Sequence, residues 1–207
     1  MKDESSDKTQ LFNELQQTNR ELTLAYEATI EGWSRALELR NKEIAGHSLR
    51  VTEMTLRLAR KMGISDEQLV HIRRGALLHD IGKLGIPDAI LFKPDLLTEQ
   101  ERQVMRQHPV LGYTLLSPIQ FLRPALDIVY CHHENWDGNG YSRGLKGEEI
   151  PQAVCLFSVV NVWDALIADR PFRRGVSKND AVAYIKDQGG KQFDPQAVEV
   201  FLTFIPE

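Results

Sequence analysis

The residues best suited to chemistry are an adjacent histidine and aspartate, His79 and Asp80, which end an apolar run and precede Gly82 and Lys83. Imidazole nitrogen and carboxylate oxygen are ligands of hydrolytic transition metals. Successive helical residues point about 100° apart, so both side chains reach one site only if it lies in the wedge between them. Because the aspartate has two oxygens and can bridge two ions, the pair predicts part of a dinuclear centre with Asp80 at its middle.

Other histidines extend this pattern over four successive predicted helices. Glu43 and His47 are four residues apart and share a helix face. The pattern comprises five histidines and two acids, and burying these ionisable groups without a metal would be costly. The sixth histidine, His71, is interpreted as a surface residue. The predicted ligand set is Glu43, His47, His79, Asp80, His108, His132 and His133.

These ligands offer nitrogen and oxygen but no thiolate, which favours a pair of Fe or Mn ions over a structural zinc site. We expect two or three divalent ions. Such a centre supports in-line hydrolysis of phosphate esters. Nearby cations fit that substrate, namely Lys83 and, after a predicted buried helix, Arg170, Arg173 and Arg174. Solvated surface charge remains the alternative interpretation of these arginines.

Composition excludes several other classes of protein. The formal net charge of −4 over 207 residues argues against a nonspecific binder of polymeric nucleic acid. The longest apolar stretch, residues 153–160, is too short to span a bilayer, and the polar N-terminus does not resemble a secretory signal. Cys131 and Cys155 lack the CxxC spacing of zinc sites, and we expect a reducing cytoplasm.

Helix signals recur along the chain without a convincing run of period-two alternation, so the predicted fold is all-α. Capping boxes begin at Ser65 and Thr98, and Ser177 and Asp194 offer further start signals. The patterns predict one helix that Asn41 caps and Gly63 closes, one from Thr98 through His108 to Leu115, and one from Pro118 to His133.

The N-terminal segment has a short heptad-like seam that includes Leu11, Leu15 and Leu22. We predict that residues 1–28 form a linker helix that dimerises or relays a signal, and that residues 29–207 form the phosphohydrolase domain. An amphipathic helix packed on its own domain is the alternative.

Taken together, the motifs resemble a known family. The histidines above with the segment 79–83 look like the HD superfamily of metal-dependent phosphohydrolases. The string His132-His133-Glu134-Asn135-Trp136-Asp137-Gly138-Asn139-Gly140-Tyr141 resembles its HD-GYP subgroup, the cyclic di-GMP phosphodiesterases. The likeness runs from about Thr29 to Phe204 and includes Ile86-Pro87-Asp88 and Asp169-Arg170-Pro171-Phe172-Arg173.

This resemblance implies an HD-domain helical bundle that hydrolyses cyclic di-GMP to linear pGpG and onward to GMP. It assigns the seven predicted ligands to the metals, with Asp80 and Lys83 as catalytic residues and Lys83 against the scissile phosphates. Tyr141, Arg170 and Arg173 match positions that contact the cyclic dinucleotide. It also implies a linker helix that joins the domain to an upstream sensor or receiver, and we expect a homodimer.

Two positions depart from the family pattern. Ser142 replaces the proline of the signature, which removes a constraint on φ and predicts only a tuning effect. Asn161 occupies the place of a metal-binding aspartate, although Asp164 matches. We therefore expect attenuated hydrolysis. The alternatives are a catalytically impaired module that senses cyclic di-GMP or contacts a partner, and an enzyme for a mixed cyclic dinucleotide or another phosphoester.

Overall fold

A computed structural model describes residues 2–41, 46–169 and 174–205, with side chains from Asp7 onward. Within these ranges the protein is helical, without a β-sheet and with a single isolated bridge between Gly189 and Phe193. The predicted all-α class is therefore confirmed. Its α-helices are α1 (Lys2–Asn41), α2 (His47–Lys61), α3 (Asp66–Leu78), α4 (Asp88–Leu91), α5 (Glu99–Met105), α6 (His108–Leu116), α7 (Leu126–Cys131), α8 (Gln152–Ile167), α9 (Lys178–Asp187) and α10 (Pro195–Leu202). Three 3-10 helices span Ile81–Gly85, Gln120–Ala125 and Gly147–Glu149.

Helix α1 is one continuous helix of 40 residues with two different halves. Its N-terminal half exposes Leu11 and Leu15, which are 67% and 58% accessible. Its C-terminal half buries Ile30 and Leu37 in the body of the protein. The predicted boundary between residues 28 and 29 lies inside this helix, so the linker and the domain are joined without a loop.

Ionic contacts fasten α1 to α3, the helix that ends at the predicted metal site. Glu27 accepts hydrogen bonds from Arg73 at 2.6 Å and from Arg74 at 2.8 Å. Arg73 also contacts Glu31. These partly buried pairs fix the orientation of α1 at the point where it meets the core.

Four predicted helix starts are capped by side chains. Ser65, Thr98, Ser177 and Asp194 each accept a hydrogen bond from a main-chain N–H in the first turn of the following helix. The Glu101 carboxylate accepts a hydrogen bond from the N–H of Thr98 in return, so the capping box predicted at Thr98 is complete. Local sequence alone determines these helix starts, since each cap satisfies donors that have no partner within the helix.

The prediction that Asn41 caps the following helix is wrong, because Asn41 is the last residue of α1. Helix α2 begins at His47, and the residue before it is Gly46 with a left-handed φ of 78°. The start is satisfied from α1 instead. The Glu38 carboxylate accepts the main-chain N–H groups of Gly46 at 3.1 Å and Ser48 at 2.9 Å.

Two other predicted helices are divided in the structure. The helix from Thr98 breaks at Arg106 and Gln107, and His108 opens the new helix α6 with Pro109 at its second position. Proline lacks an N–H and favours the first turn of a helix, which explains the break. The segment after Pro118 forms a 3-10 helix that contains Pro124 before α7 begins at Leu126.

The apolar core consists of two clusters that meet along α3 and α7. The larger cluster gathers residues of α2, α3 and α7 to α10, including Phe157 and Trp163. The smaller cluster contains Ile30 of α1 and Leu116 of α6 with residues of α3 and α7. The C-terminal ends of α3 and α7, which carry His79 and His132, therefore lie at the junction of the two clusters. Among the described residues, no helix combines the length and the apolar character needed to cross a bilayer.

Candidate metal centre

Helix ends position the central residues of the site. His79 directly follows α3, His108 opens α6, and His132 follows α7. Gly82 lets these elements approach closely, because a Cβ there would overlap the main-chain carbonyl of His108. Position 82 therefore requires glycine for a steric reason, which the sequence pattern alone does not reveal.

The carboxylate of Asp80 lies at the centre of the histidines. Its Oδ2 atom is 3.1 Å from Nε2 of His79, and its Oδ1 atom is 3.2 Å from Nε2 of His108 and 3.8 Å from Nε2 of His132. Lys83 places its Nζ 2.6 Å from Oδ2. The two carboxylate oxygens therefore face different histidines.

Hydrogen bonds to the main chain leave the Nε2 atoms of these histidines facing inward. His79 Nδ1 lies 2.8 Å from the carbonyl of Ala76, and His108 Nδ1 lies 2.9 Å from that of Met105. His132 Nδ1 is 3.0 Å from the carbonyl of Ile128. A carbonyl oxygen only accepts, so each Nδ1 carries a proton, and in the neutral ring each Nε2 keeps its lone pair.

This arrangement fits a cation. His108 Nε2 and His132 Nε2 are 3.1 Å apart, and both face the Asp80 carboxylate. Acceptors at such separations repel one another unless a proton or a metal ion lies among them. His108, His132 and His133 also offer ligand atoms within 4.8 Å of one another. The chemistry of the donor set is therefore that of a divalent transition-metal site.

Burial sets the charge of the site residues. It lowers the pKa of His132 well below its ordinary value and that of His133 to about 3, with neighbouring histidines adding to both shifts. Burial alone would raise the pKa of Asp80, but the charges of His79 and Lys83 and hydrogen bonds from His108 and His79 hold it well below its usual range. The site thus presents neutral His132 and His133 beside an ionised Asp80 carboxylate. Burial alone would lower the pKa of His79, but the charge of Asp80 and a hydrogen bond with it raise that pKa, so a bound metal would compete with a proton at His79.

His47 lies on the other side of His79, with 6.1 Å between the ring centroids. Its Nδ1 donates to Oδ2 of Asp164 at 2.6 Å, so its Nε2 is again the atom with a lone pair. Arg50 donates to both oxygens of Asp164, at 2.9 Å and 3.0 Å. Asp164 therefore orients His47 through a carboxylate–histidine contact, the arrangement typical of residues behind a metal ligand.

Asn161 occupies the face of α8 that points toward the histidines. Phe157, one turn earlier, packs against His79 and His132 at centroid distances of 4.9 Å and 6.2 Å. Asp164, nearly one turn later, contacts His47. Residues at this spacing share a helix face, so the partly buried Asn161 lies between the two points where α8 contacts the site.

A glycine-rich loop brings Tyr141 to the same site. Its ring stacks on that of His133 at 4.6 Å and 17°, and its N–H donates to the carbonyl of His133 at 3.0 Å. Burial raises the pKa of Tyr141 to about 12, so the phenol stays neutral. Gly140 has to lack a side chain, because a Cβ there would overlap the backbone of Glu134.

Glu134 is a loop-organising residue that the sequence reasoning missed. Its buried carboxylate accepts main-chain N–H groups of Arg143 at 2.6 Å, Gly144 at 3.1 Å and Leu145 at 3.1 Å. These bonds hold the loop that follows Tyr141. The available signal was an acid at the start of a glycine-rich segment, where many main-chain donors lack partners.

The structure thus brings together His47, His79, Asp80, Lys83, His108, His132, His133 and Tyr141, with Asn161 on the adjoining helix face. Three predicted site residues, Glu43, Arg170 and Arg173, lie outside the described residues. Their assignments as a metal ligand and as contacts to the dinucleotide stay predictions.

Comparisons with known proteins agree with these motifs. The sequence model of the HD domain family matches residues 31–197. The cyclic di-GMP phosphodiesterase response regulator RpfG of Xanthomonas campestris is 38% identical over 193 residues, which cover 92% of this chain and 49% of the relative. The cyclic di-GMP phosphodiesterase of Thermotoga maritima is 38% identical over 201 residues, 93% of this chain and 54% of the relative. The 3′3′-cGAMP-specific phosphodiesterase 3 of Vibrio cholerae is 33% identical, over 87% of this chain and 40% of the relative.

Solved structures give the same result. A protein of Bdellovibrio bacteriovorus described as an HDG"Y"P protein matches with a TM-score of 0.63 and 27% identity, over 77% of this chain and 51% of its own. A cyclic GMP-AMP-specific phosphodiesterase of V. cholerae matches with a TM-score of 0.66 at 19% identity, over 84% of this chain and 47% of its own, and supports the fold alone.

The chain therefore belongs to the HD domain family. Its similarity to the proteins above and the motif at residues 132–141 place it in the HD-GYP subgroup, which confirms the family prediction. The chain spans about half the length of the first two curated relatives.

Proposed function

We propose that this chain is a metal-dependent phosphodiesterase that hydrolyses cyclic di-GMP to linear pGpG, and onward to GMP, with a rate attenuated by Asn161. The observation that carries the proposal is the Asp80 carboxylate, whose two oxygens face Nε2 atoms of different buried histidines. The substrate class follows from relatives at 35–38% identity that are named cyclic di-GMP phosphodiesterases.

The proposed metal ligands are Glu43, His47, His79, Asp80, His108, His132 and His133, with Asn161 at the position of a further ligand. Two divalent Fe or Mn ions, or three, would supply an acidified water and neutralise charge on the phosphate oxygens. The chain's own contribution is orientation. Main-chain carbonyls fix the histidine tautomers, and Asp164 does the same for His47.

Lys83 is proposed to contact the scissile phosphate. Its ammonium group is held 2.6 Å from the Asp80 carboxylate and is only 18% exposed, so a cation lies at the predicted reaction centre. Tyr141, Arg170 and Arg173 are proposed to bind the rest of the dinucleotide. For Tyr141 the support is its stack on His133, which places an aromatic surface beside the centre.

The second candidate function is a sensor that binds cyclic di-GMP without efficient turnover. Asn161 favours it, because an amide has one acceptor oxygen and no charge where the family has a carboxylate. A third candidate keeps the enzyme and changes the substrate to a mixed cyclic dinucleotide. The similarity to the 3′3′-cGAMP-specific phosphodiesterase 3 favours that alternative.

One experiment separates the three functions. Protein purified without oxygen is reconstituted with Fe or Mn, its metal content is measured, and turnover and binding are assayed with cyclic di-GMP and 3′3′-cGAMP. Hydrolysis that prefers cyclic di-GMP supports the proposal. Binding without turnover in metal-replete protein supports the sensor, and a preference for 3′3′-cGAMP supports the third function. Absence of both binding and turnover contradicts all three.

We also propose that the chain forms a homodimer through the exposed seam of α1, downstream of a sensor or receiver domain and in the cytoplasm. Leu11, Leu15 and Leu22 support the seam, since they are 47–67% exposed along one helix. Light scattering at micromolar concentration should give a dimer, and a chain that starts at Ala28 should shift toward monomer. A monomeric 207-residue chain would rule out the seam as a stable interface.

A further inference from the structure

We infer that Arg106 is a substrate-positioning residue, which binds the phosphate of the cyclic dinucleotide that is not being cleaved. The inference rests on the proposed function and adds a residue to it. A cyclic dinucleotide carries two phosphates at opposite sides of one macrocycle. When one is bound at the metal centre, the other is an anion held away from it, and it needs its own cation at the rim.

Arg106 has the position of such a cation. It lies at the break between α5 and α6, two residues before His108, and its side chain is exposed. Its guanidinium carbon is 5.3 Å from the ring centroid of Tyr141, and that ring stacks on His133 at 4.6 Å. A guanidinium, a phenol and an imidazole thus form a continuous series from the surface to the histidine cluster.

The guanidinium of Arg106 has no acidic partner in the part of the chain that the structure describes. Among the described residues, no carboxylate lies within ion-pair distance of its guanidinium. The contrast is Arg102, which lies four residues earlier within α5 and whose guanidinium is 3.1 Å from the carboxylate of Glu99. Of these two neighbouring arginines, only the one beside Tyr141 keeps its charge available.

Guanidinium chemistry fits the proposed ligand. The planar group offers parallel N–H donors that match two oxygens of one phosphate, and it stacks on aromatic faces at the same time. The contact with Tyr141 restricts the orientation of the Arg106 side chain before substrate arrives. It therefore reduces the entropy that binding has to overcome.

The test compares Arg106→Gln, Arg106→Lys and the matched control Arg102→Gln in metal-reconstituted full-length protein. Affinity for cyclic di-GMP is measured by calorimetry, and hydrolysis of bis(4-nitrophenyl) phosphate, which has a single phosphodiester, is measured alongside. Arg106→Gln should weaken cyclic di-GMP binding about 10-fold or more, as expected for a lost hydrogen bond to a charged group. Arg106→Lys should recover part of the affinity, and Arg102→Gln should resemble the unaltered protein.

The substrate with one phosphate shows whether Arg106 binds the second phosphate or only supports the loop. Arg106→Gln should lose more affinity for cyclic di-GMP than activity on bis(4-nitrophenyl) phosphate. Equal losses for both, or an affinity like that of Arg102→Gln, would overturn the inference. Unaltered protein that fails to bind cyclic di-GMP would instead overturn the proposed function on which the inference rests.

Discussion

Asp80 and Asp164 are two aspartates of almost equal burial, 7% and 5% exposed, with opposite surroundings. Asp80 faces Nε2 atoms of histidines whose Nδ1 atoms are bonded to main-chain carbonyls, and it is paired with Lys83 at 2.6 Å. Asp164 instead accepts hydrogen bonds from Nδ1 of His47 and from two guanidinium nitrogens of Arg50. Each carboxylate is thus paired with one cation, but Asp80 faces histidine nitrogens that can bind a metal, whereas Asp164 faces the opposite ring nitrogen of His47. Burial alone does not distinguish a candidate ligand from the group that orients one.

The largest expected effect comes from Asp80→Asn. Removing the central charge should lower metal content and reduce turnover of cyclic di-GMP by about 10³-fold, since metal-ion chemistry supplies several kcal/mol and each 1.4 kcal/mol is about tenfold. Metal analysis and steady-state kinetics measure this. Asp187→Asn, an exposed position on α9, is the control for the loss of a carboxylate. Turnover near that of the control would remove Asp80 from the centre.

Asp164→Asn should have a smaller effect of the same sign. The amide can still accept from His47, but it no longer carries the charge that Arg50 and His47 share. A loss of about 10- to 100-fold in metal affinity or activity is typical for a group behind a ligand. Asp164→Asn, Asp80→Asn and Asp187→Asn are each titrated with Mn in the metal-free form, and their affinities for Mn rank the three variants. If Asp164→Asn equalled Asp80→Asn, the distinction between the two aspartates would fail.

The sequence predicts much of this site because its chemistry is local. His79 and Asp80 are adjacent, His132 and His133 are adjacent, and capping residues specify helix starts such as those after Ser65 and Thr98. Helix periodicity does not show where proline divides a helix, which is why the break before His108 was not predicted.

Local sequence patterns also do not predict contacts between distant segments. Glu134 binds main-chain donors nine to eleven residues later, and Glu38 of α1 satisfies the start of α2. Arg106 meets Tyr141 only because the loop after His133 folds back onto α5 and α6. These contacts depend on tertiary packing, and no spacing pattern in the sequence encodes them.

Asn161→Asp should have the smallest effect of the three variants, and it should raise activity instead of lowering it. It tests how the part of the site around Asp80 is connected to the part around His47. Position 161 lies on α8 between Phe157, which contacts the histidines near Asp80, and Asp164, which orients His47. An aspartate there would add a charge that both sides could share through the metal ions. The shape of the side chain is unchanged, so the fold should be retained.

We expect Asn161→Asp to raise metal occupancy and to increase turnover of cyclic di-GMP about tenfold, which corresponds to about 1.4 kcal/mol of transition-state stabilisation. Asn179→Asp, on the exposed first turn of α9, controls for an added surface charge. Thermal unfolding of the metal-free variant should match that of the unaltered protein. A variant with neither more metal nor faster turnover would show that Asn161 does not limit the site. In that case Asp164, which is paired with Arg50, is sufficient to orient His47, and the alignment of Asn161 with a metal ligand is wrong.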